Sequence, residues 1–206
     1  MKKNFCILLA MIAALALAFV GLNAVLTSGY SVQTESISFV TDEGVTLEGT
    51  LFVPSNATAE NPAAGVLVCP GGNTPGAFYG SYEIELRRRG YVVFSYDYYG
   101  TKGSGMTTEG SSGAIAAMKY LTSLSFVDSN RLAATGHSNG GAQAFAAITS
   151  EYASSAAHRS VLFIGCGLSS TELSDFDNLN VGAIWGQLDE AGQGVFWDSY
   201  DDGTLN

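Results

Sequence analysis

Positive charge is scarce in this 206-residue chain: 9 Lys and Arg stand against 19 Asp and Glu, for a formal net charge of −10. That balance excludes a nucleic-acid binder, which needs a basic face for the phosphates. Cysteine is scarce too, and three are too few for a disulfide scaffold. Charged residues make up only 14% against 47% hydrophobics, which excludes a disordered or low-complexity chain. Histidine occurs twice, which narrows the proton-transfer chemistry on offer. The length suits one domain with a sizeable core.

Apolar sequence is present in excess at the N-terminus. Phe5 to Leu26 is a run of 22 residues without a charge, preceded by Lys2 and Lys3. About 20 helical residues suffice to cross a bilayer. No Lys or Arg follows until Arg87, while Glu35, Asp42, Glu43, Glu48 and Glu60 fall in the gap. By the positive-inside rule the N-terminus stays in the cytoplasm and the remainder is exported. Residues 1–26 therefore read as a transmembrane anchor, favoured by the length of the run, or as a signal peptide. Ala14-Leu15-Ala16 or Ala16-Leu17-Ala18 would serve the peptidase in the second case. The membrane is the expected partner through residues 5–26. The domain is expected on the extracytoplasmic side, anchored there or secreted. Cys6 lies too early in the run for a lipoprotein cysteine.

The remaining chain, 32–206, reads as one α/β domain. Runs at 32–40 and 45–53 flank Thr41-Asp42-Glu43-Gly44, a hairpin turn signature. Ala64–Cys69 is a short apolar run of the kind found in buried parallel strands. Helices are expected over 77–89, 110–124 and 139–152, and strands over 91–96, 131–136, 161–165 and 181–185. This alternation predicts a mostly parallel sheet flanked by helices and opened by an antiparallel hairpin. The stretch between the strands at 161–165 and 181–185 is too short for a cap domain.

Gly136-His137-Ser138-Asn139-Gly140 carries the chemistry. G-x-S-x-G is a nucleophile elbow, a sharp strand-to-helix turn that presents a strained serine. The pattern alone is weak in a chain with 25 glycines, and its context gives it weight. Arg131–Thr135 reads as a strand before it and Ala142–Ala147 as a helix after it. Rival glycine motifs fail: Gly71 to Gly76 has P-loop spacing but continues Ala77-Phe78 rather than Lys-Ser.

From about residue 32 to 200 the chain resembles the α/β-hydrolase superfamily, most closely its compact esterases akin to dienelactone hydrolases and polyester hydrolases. Besides the elbow, four segments carry the resemblance: Cys69-Pro70-Gly71-Gly72, Arg89-Gly90-Tyr91-Val92-Val93 before Asp97-Tyr98-Tyr99-Gly100, Val127-Asp128-Ser129-Asn130-Arg131, and Trp185-Gly186-Gln187-Leu188-Asp189. The resemblance implies that Ser138 is the nucleophile and Asp189 the acid that orients a histidine, with Glu190 and Asp175 as weaker candidates for the acid. It implies an oxyanion hole from the backbone N–H groups of Gly72 and Asn139. It implies carboxylic ester hydrolysis through an acyl-enzyme, with no cofactor and no metal, on a small-molecule or polymeric ester.

Other residues read as structure. Asp97 is expected to cap or tie the loop after its strand, and Asp128 and Arg131 to form a turn pair. Tyr96, Tyr98 and Tyr99 read as packing at a strand end, with Tyr98 or Tyr99 available to edge a pocket. Cys69 and Cys166 end strands expected two positions apart, about 10 Å, beyond disulfide reach.

The family order is Ser, acid, His, and no histidine here fits it. His137 points to the opposite face from Ser138, and His158 lies at the far edge of the sheet and precedes Asp189. The expectation is a C-terminally incomplete form of a competent enzyme, with the last strand and the catalytic histidine missing. Two alternatives stand beside it: a peptidase or amidase on the same fold, and a non-catalytic binding pseudoenzyme.

Overall fold

The computed structural model describes residues 2–27, 29, 31–76, 80–108, 110–166 and 179–184. It opens with α1 (Lys2–Leu26). Asn4–Leu26 has a mean hydropathy of 2.8 and no part of it is buried against the domain. The helix is long and apolar enough to span a membrane, and it fits a signal anchor and a signal peptide equally.

The hairpin of β1 (Val32–Val40) and β2 (Thr46–Pro54) forms where expected. Its turn is closed by the Gly44 N–H donating to the Thr41 carbonyl at 2.9 Å, with Gly44 at φ +79°. Then follow β3 (Ala63–Cys69), α2 (Gly80–Arg88), β4 (Val92–Tyr96), α3 (Ala114–Ser123), β5 (Val127–His137), α4 (Asn139–Thr149), β6 (His158–Ile164) and β7 (Leu179–Ile184). The sheet has the order β1-β2-β4-β3-β5-β6-β7. β1, β2 and β4 pair antiparallel, and every pairing from β4 onward to β7 is parallel.

Both faces carry apolar layers, which is why β3 and β4 are near-continuous apolar runs. On one face α3 and α4 lay Ala117, Met118, Leu121, Ala144, Ala147 and Ile148 over Leu67, Phe94, Leu132 and Phe163. On the other, Tyr82 and Leu86 of α2 cover Val66, Val68, Val93 and Phe52.

Several boundaries differ from the sequence reading, among them the end of α4 at Thr149 rather than 152 and the start of β7 at Leu179 rather than 181. β5 starts at Val127 rather than 131, because Asp128 folds the strand into a local turn: its carboxylate accepts from Arg131 Nε at 2.6 Å and from the Asn130 N–H at 3.0 Å. The register against β3 jumps there, with Ala64 opposite Asp128 and Gly65 opposite Leu132. α3 starts at Ala114 rather than 110, since Ser112 and Gly113 both take positive φ, +52° and +88°. β6 begins at His158, held by pairing with Arg131 rather than by any apolar pattern.

Candidate active site

β5 climbs through the middle of the parallel half of the sheet and ends at His137; α4 begins two residues later at Asn139. The whole reversal falls on Ser138, which takes φ 54° and ψ −126°. Positive φ in a non-glycine residue is strained and persists only where its surroundings enforce it. Those surroundings are the two flanking glycines. A Cβ on Gly136 would lie 2.0 Å from the Gly140 carbonyl oxygen. One on Gly140 would lie 2.3 Å from the Cys69 carbonyl oxygen. The strand, the helix and the loop after β3 thus meet backbone to backbone, and Ser138 is left exposed at their junction. Its N–H donates to the Ile164 carbonyl at 3.0 Å, and its carbonyl accepts from the Gly141 N–H at 3.0 Å.

Asn139 is the first residue of α4, where backbone N–H groups lack intrahelical partners and the helix dipole is positive. Gly72, in the exposed loop after β3, lies beside it: a Cβ there would be 3.9 Å from Asn139 Nδ2. Ser138 and Asn139 are consecutive, and the Gly72 loop approaches the Asn139 side chain, so the three residues lie at the same edge of the sheet.

The structure does not bring a histidine to this point among the described residues. His137 precedes Ser138 on β5 and is exposed. His158 opens β6 opposite Arg131, whereas the elbow end of that strand, Ile164, lies opposite His137. His158 and Ile164 are six residue steps apart on β6, about 20 Å along the sheet. Asp189 lies outside the described residues, as do Glu190, Asp175 and the region where a missing last strand or an absent cap would be judged.

The other residues singled out behave as follows. Cys69 and Cys166 are not joined in a disulfide and sit on strands two positions apart in the sheet or just beyond them. Burial pushes the Cys69 thiol far up, so it is inert as a nucleophile. Tyr96 is fully buried and its hydroxyl donates to Gln143 Oε1 of α4 at 2.6 Å, a tie beneath the elbow that sequence reading did not find. Tyr98 is buried and packs on Tyr99 with ring centroids 4.1 Å apart. Asp97 does more than tie its own loop: its Oδ1 accepts from the Gly76 N–H at 2.7 Å, across to the loop after β3. A cavity of about 670 Å³ opens elsewhere, on the α2 face beside Val66, Leu86, Ala133 and Leu162. It touches none of Ser138, Asn139 or Gly72.

Comparison with known proteins fits this geometry. A sequence model described as the prolyl oligopeptidase family, peptidase S9, matches residues 78–164. No curated protein matches the chain. Among solved structures, one named m3DLH has a TM-score of 0.64 at 16% identity, over 85% of this chain and 79% of that one. A dienelactone hydrolase-like promiscuous phosphotriesterase from metagenomic libraries has a TM-score of 0.55 at 16% identity, over 76% of this chain and 82% of its own. An acetyl xylan esterase from Paenibacillus sp. R4 has a TM-score of 0.52 at 18% identity, over 65% of this chain; the chain spans 49% of that enzyme. The sheet order, the parallel half and these neighbours agree on the α/β-hydrolase fold, shared with hydrolases.

Proposed function

We propose that this α/β-hydrolase domain is an exported serine hydrolase that cleaves carboxylic esters through an acyl-enzyme on Ser138. The observation that carries the reading is the backbone of Ser138, held at φ 54° beside the Gly72 loop. A serine that only had to turn the chain would be a glycine, because glycine takes that conformation without strain. In the reaction Ser138 Oγ attacks the ester carbonyl and its proton passes to a base. The oxyanion rests on the Asn139 and Gly72 N–H groups, and the alcohol leaves. Water then releases the acid by the same route. Asp189 is the proposed acid that orients the base. Neither His137 nor His158 is that base, given their places on the sheet. The 206-residue chain is therefore expected to show only the residual rate that an oxyanion hole and binding supply, about 10³- to 10⁴-fold over water. The apolar helix α1 would hold the domain at the outer face of the membrane, or be removed on export.

The test is acylation by an activated ester such as p-nitrophenyl acetate. Deacylation needs the same base as acylation, so the acetyl group should accumulate on Ser138, where peptide mass mapping finds it. Acetylation spread over many side chains, or unchanged in Ser138→Ala, would sink the reading. A peptidase or amidase is the second reading, favoured by the prolyl oligopeptidase match over residues 78–164. Comparing an activated ester with the matching anilide separates the two.

A further inference from the structure

The loop that carries Gly72 is fastened at both ends, and its far fastening is a side chain with no part in the chemistry above. At the near end the Cys69 and Pro70 carbonyls press on Gly140 of the elbow, where a Cβ would meet them at 2.3 and 2.7 Å. Within the loop, Thr74 donates to the Gly71 carbonyl through both its N–H, at 3.2 Å, and its hydroxyl, at 2.7 Å. Asn73 between them takes φ 58°. At the far end Gly76 lies against the end of β4, so close that a Cβ there would sit 2.5 Å from Ser95 Oγ and 2.7 Å from the Tyr96 carbonyl. Its N–H donates to Asp97 Oδ1 in a buried bond of 2.7 Å.

Asp97 is itself fixed on every side. It is 5% exposed. Its N–H donates to the Glu48 carbonyl at 2.8 Å, and its carbonyl accepts from Ser104 Oγ at 3.2 Å. Lys102 Nζ stands 3.8 Å from the carboxylate. A buried carboxylate accepting a backbone N–H makes a strong, charge-assisted bond. Burial nonetheless holds the Asp97 carboxyl above its ordinary value, so the site is costly to keep. The bond this carboxylate accepts from a neighbouring loop comes from the buried N–H at the far end of the Gly72 loop.

We infer that Asp97 is a positioning residue for the oxyanion hole: by holding the Gly76 N–H it fixes the loop that aims the Gly72 N–H at the carbonyl attacked by Ser138. This rests on the reading of Ser138 as nucleophile. Ser104 provides the contrast. Its hydroxyl accepts from the Glu48 N–H at 2.9 Å and donates to the Asp97 carbonyl, so it braces Asp97 from behind without touching the loop.

The experiment measures two things on the full chain: the rate of Ser138 acetylation by p-nitrophenyl acetate, and hydrogen exchange of the amides over 71–76. In the wild type the Gly76 amide should be protected. Asp97→Ala should slow acetylation about 100-fold, the penalty of a misplaced donor, and speed exchange over 71–76 at least about tenfold, as the lost hydrogen bond requires. Asp97→Asn, which keeps an acceptor oxygen, should recover most of both. Ser104→Ala should lower the unfolding midpoint and leave acetylation within about threefold of wild type, well short of the loss of a donor. Asp97→Ala acetylating at the wild-type rate, or Ser104→Ala slowing it as much as Asp97→Ala, overturns the inference. Should Asp97→Ala not fold, an unprotected Gly76 amide in the wild type overturns it. A wild type that takes no acetyl group on Ser138 instead brings down the catalytic reading, and this inference with it.

Discussion

Replacing Ser138 by glycine should make the protein more stable while abolishing its acylation. Ser138 holds φ 54° and ψ −126°, a conformation that costs a non-glycine residue about 1–3 kcal/mol. Alanine keeps the Cβ and therefore keeps the strain. Glycine removes it, but frees the unfolded chain and gives back about 0.4–1 kcal/mol. The difference leaves Ser138→Gly about 1 kcal/mol more stable than Ser138→Ala. For a domain of this size that raises the midpoint by about 2–4 °C. The serine hydroxyl makes no capping hydrogen bond, so Ser138→Ala should match wild type within about 0.5 kcal/mol. Thermal unfolding of the three proteins side by side, followed by near-ultraviolet circular dichroism, measures both differences. At an ordinary site the glycine variant would be the weaker of the pair. Finding it about 1 kcal/mol below Ser138→Ala would show that the elbow stores no strain, and the reasoning for Ser138 as a presented nucleophile would fail.

Gly72→Pro removes one backbone N–H from an exposed loop and should cut Ser138 acylation about 100- to 1,000-fold with the unfolding midpoint little changed; an unchanged rate would show that Gly72 does not face the oxyanion. Tyr96→Phe strips the buried 2.6 Å bond from Gln143 Oε1, and Gln143 Nε2 already lacks a partner. The loss should cost about 1–3 kcal/mol in urea unfolding, and a variant as stable as wild type would contradict the tie between β4 and α4. Glu83 is 2% exposed, and desolvation raises its carboxyl, with Ser95 and Arg87 pulling the other way. The folded chain then holds this proton more tightly than the unfolded one, so stability falls as pH rises from the ordinary glutamate range through the raised value. Glu83→Gln should flatten that slope and stabilise the protein at neutral pH, as unfolding midpoints across pH would reveal; a steeper slope would refute the assignment.

What could be read from the sequence was whatever is written in consecutive residues. The hairpin around Gly44 needs one glycine at positive φ, and the buried strands need unbroken apolar runs; both are local. The strand starts were not legible, because pairing sets them. His158, Arg159 and Ser160 carry no strand pattern, yet β6 begins there since β5 offers Arg131, Leu132 and Ala133 as partners. The extra turn of helix expected before Ala114 was lost to Ser112 and Gly113, whose positive φ values serve the close approach of Gly113 to Leu47, where a Cβ would sit 2.1 Å from Cδ1.

The site divides along the same line. The elbow is legible because its requirement is steric and local: two glycines must sit two residues either side of the serine, and the backbone contacts at Gly136 and Gly140 supply the reason. The fastening of the Gly72 loop is not. Asp97 and Gly76 are 21 residues apart, with α2 between them. They meet only because β4 lies next to β3 in the sheet, so that the ends of both strands open on the same edge. Asp97 in isolation is an aspartate after a strand, with a loop cap as the natural reading. The sheet order turns it into the anchor of a neighbouring strand's loop. The Tyr96 to Gln143 bond has the same origin, since the residue before Asp97 reaches past β3 to the helix that follows the elbow. Two successive residues at the end of β4 thus hold the two segments that flank the proposed oxyanion hole, one gripping the loop and one the helix. Neither touches the reacting atoms, and only the pairing of β3 with β4 and of β3 with β5 brings them into play.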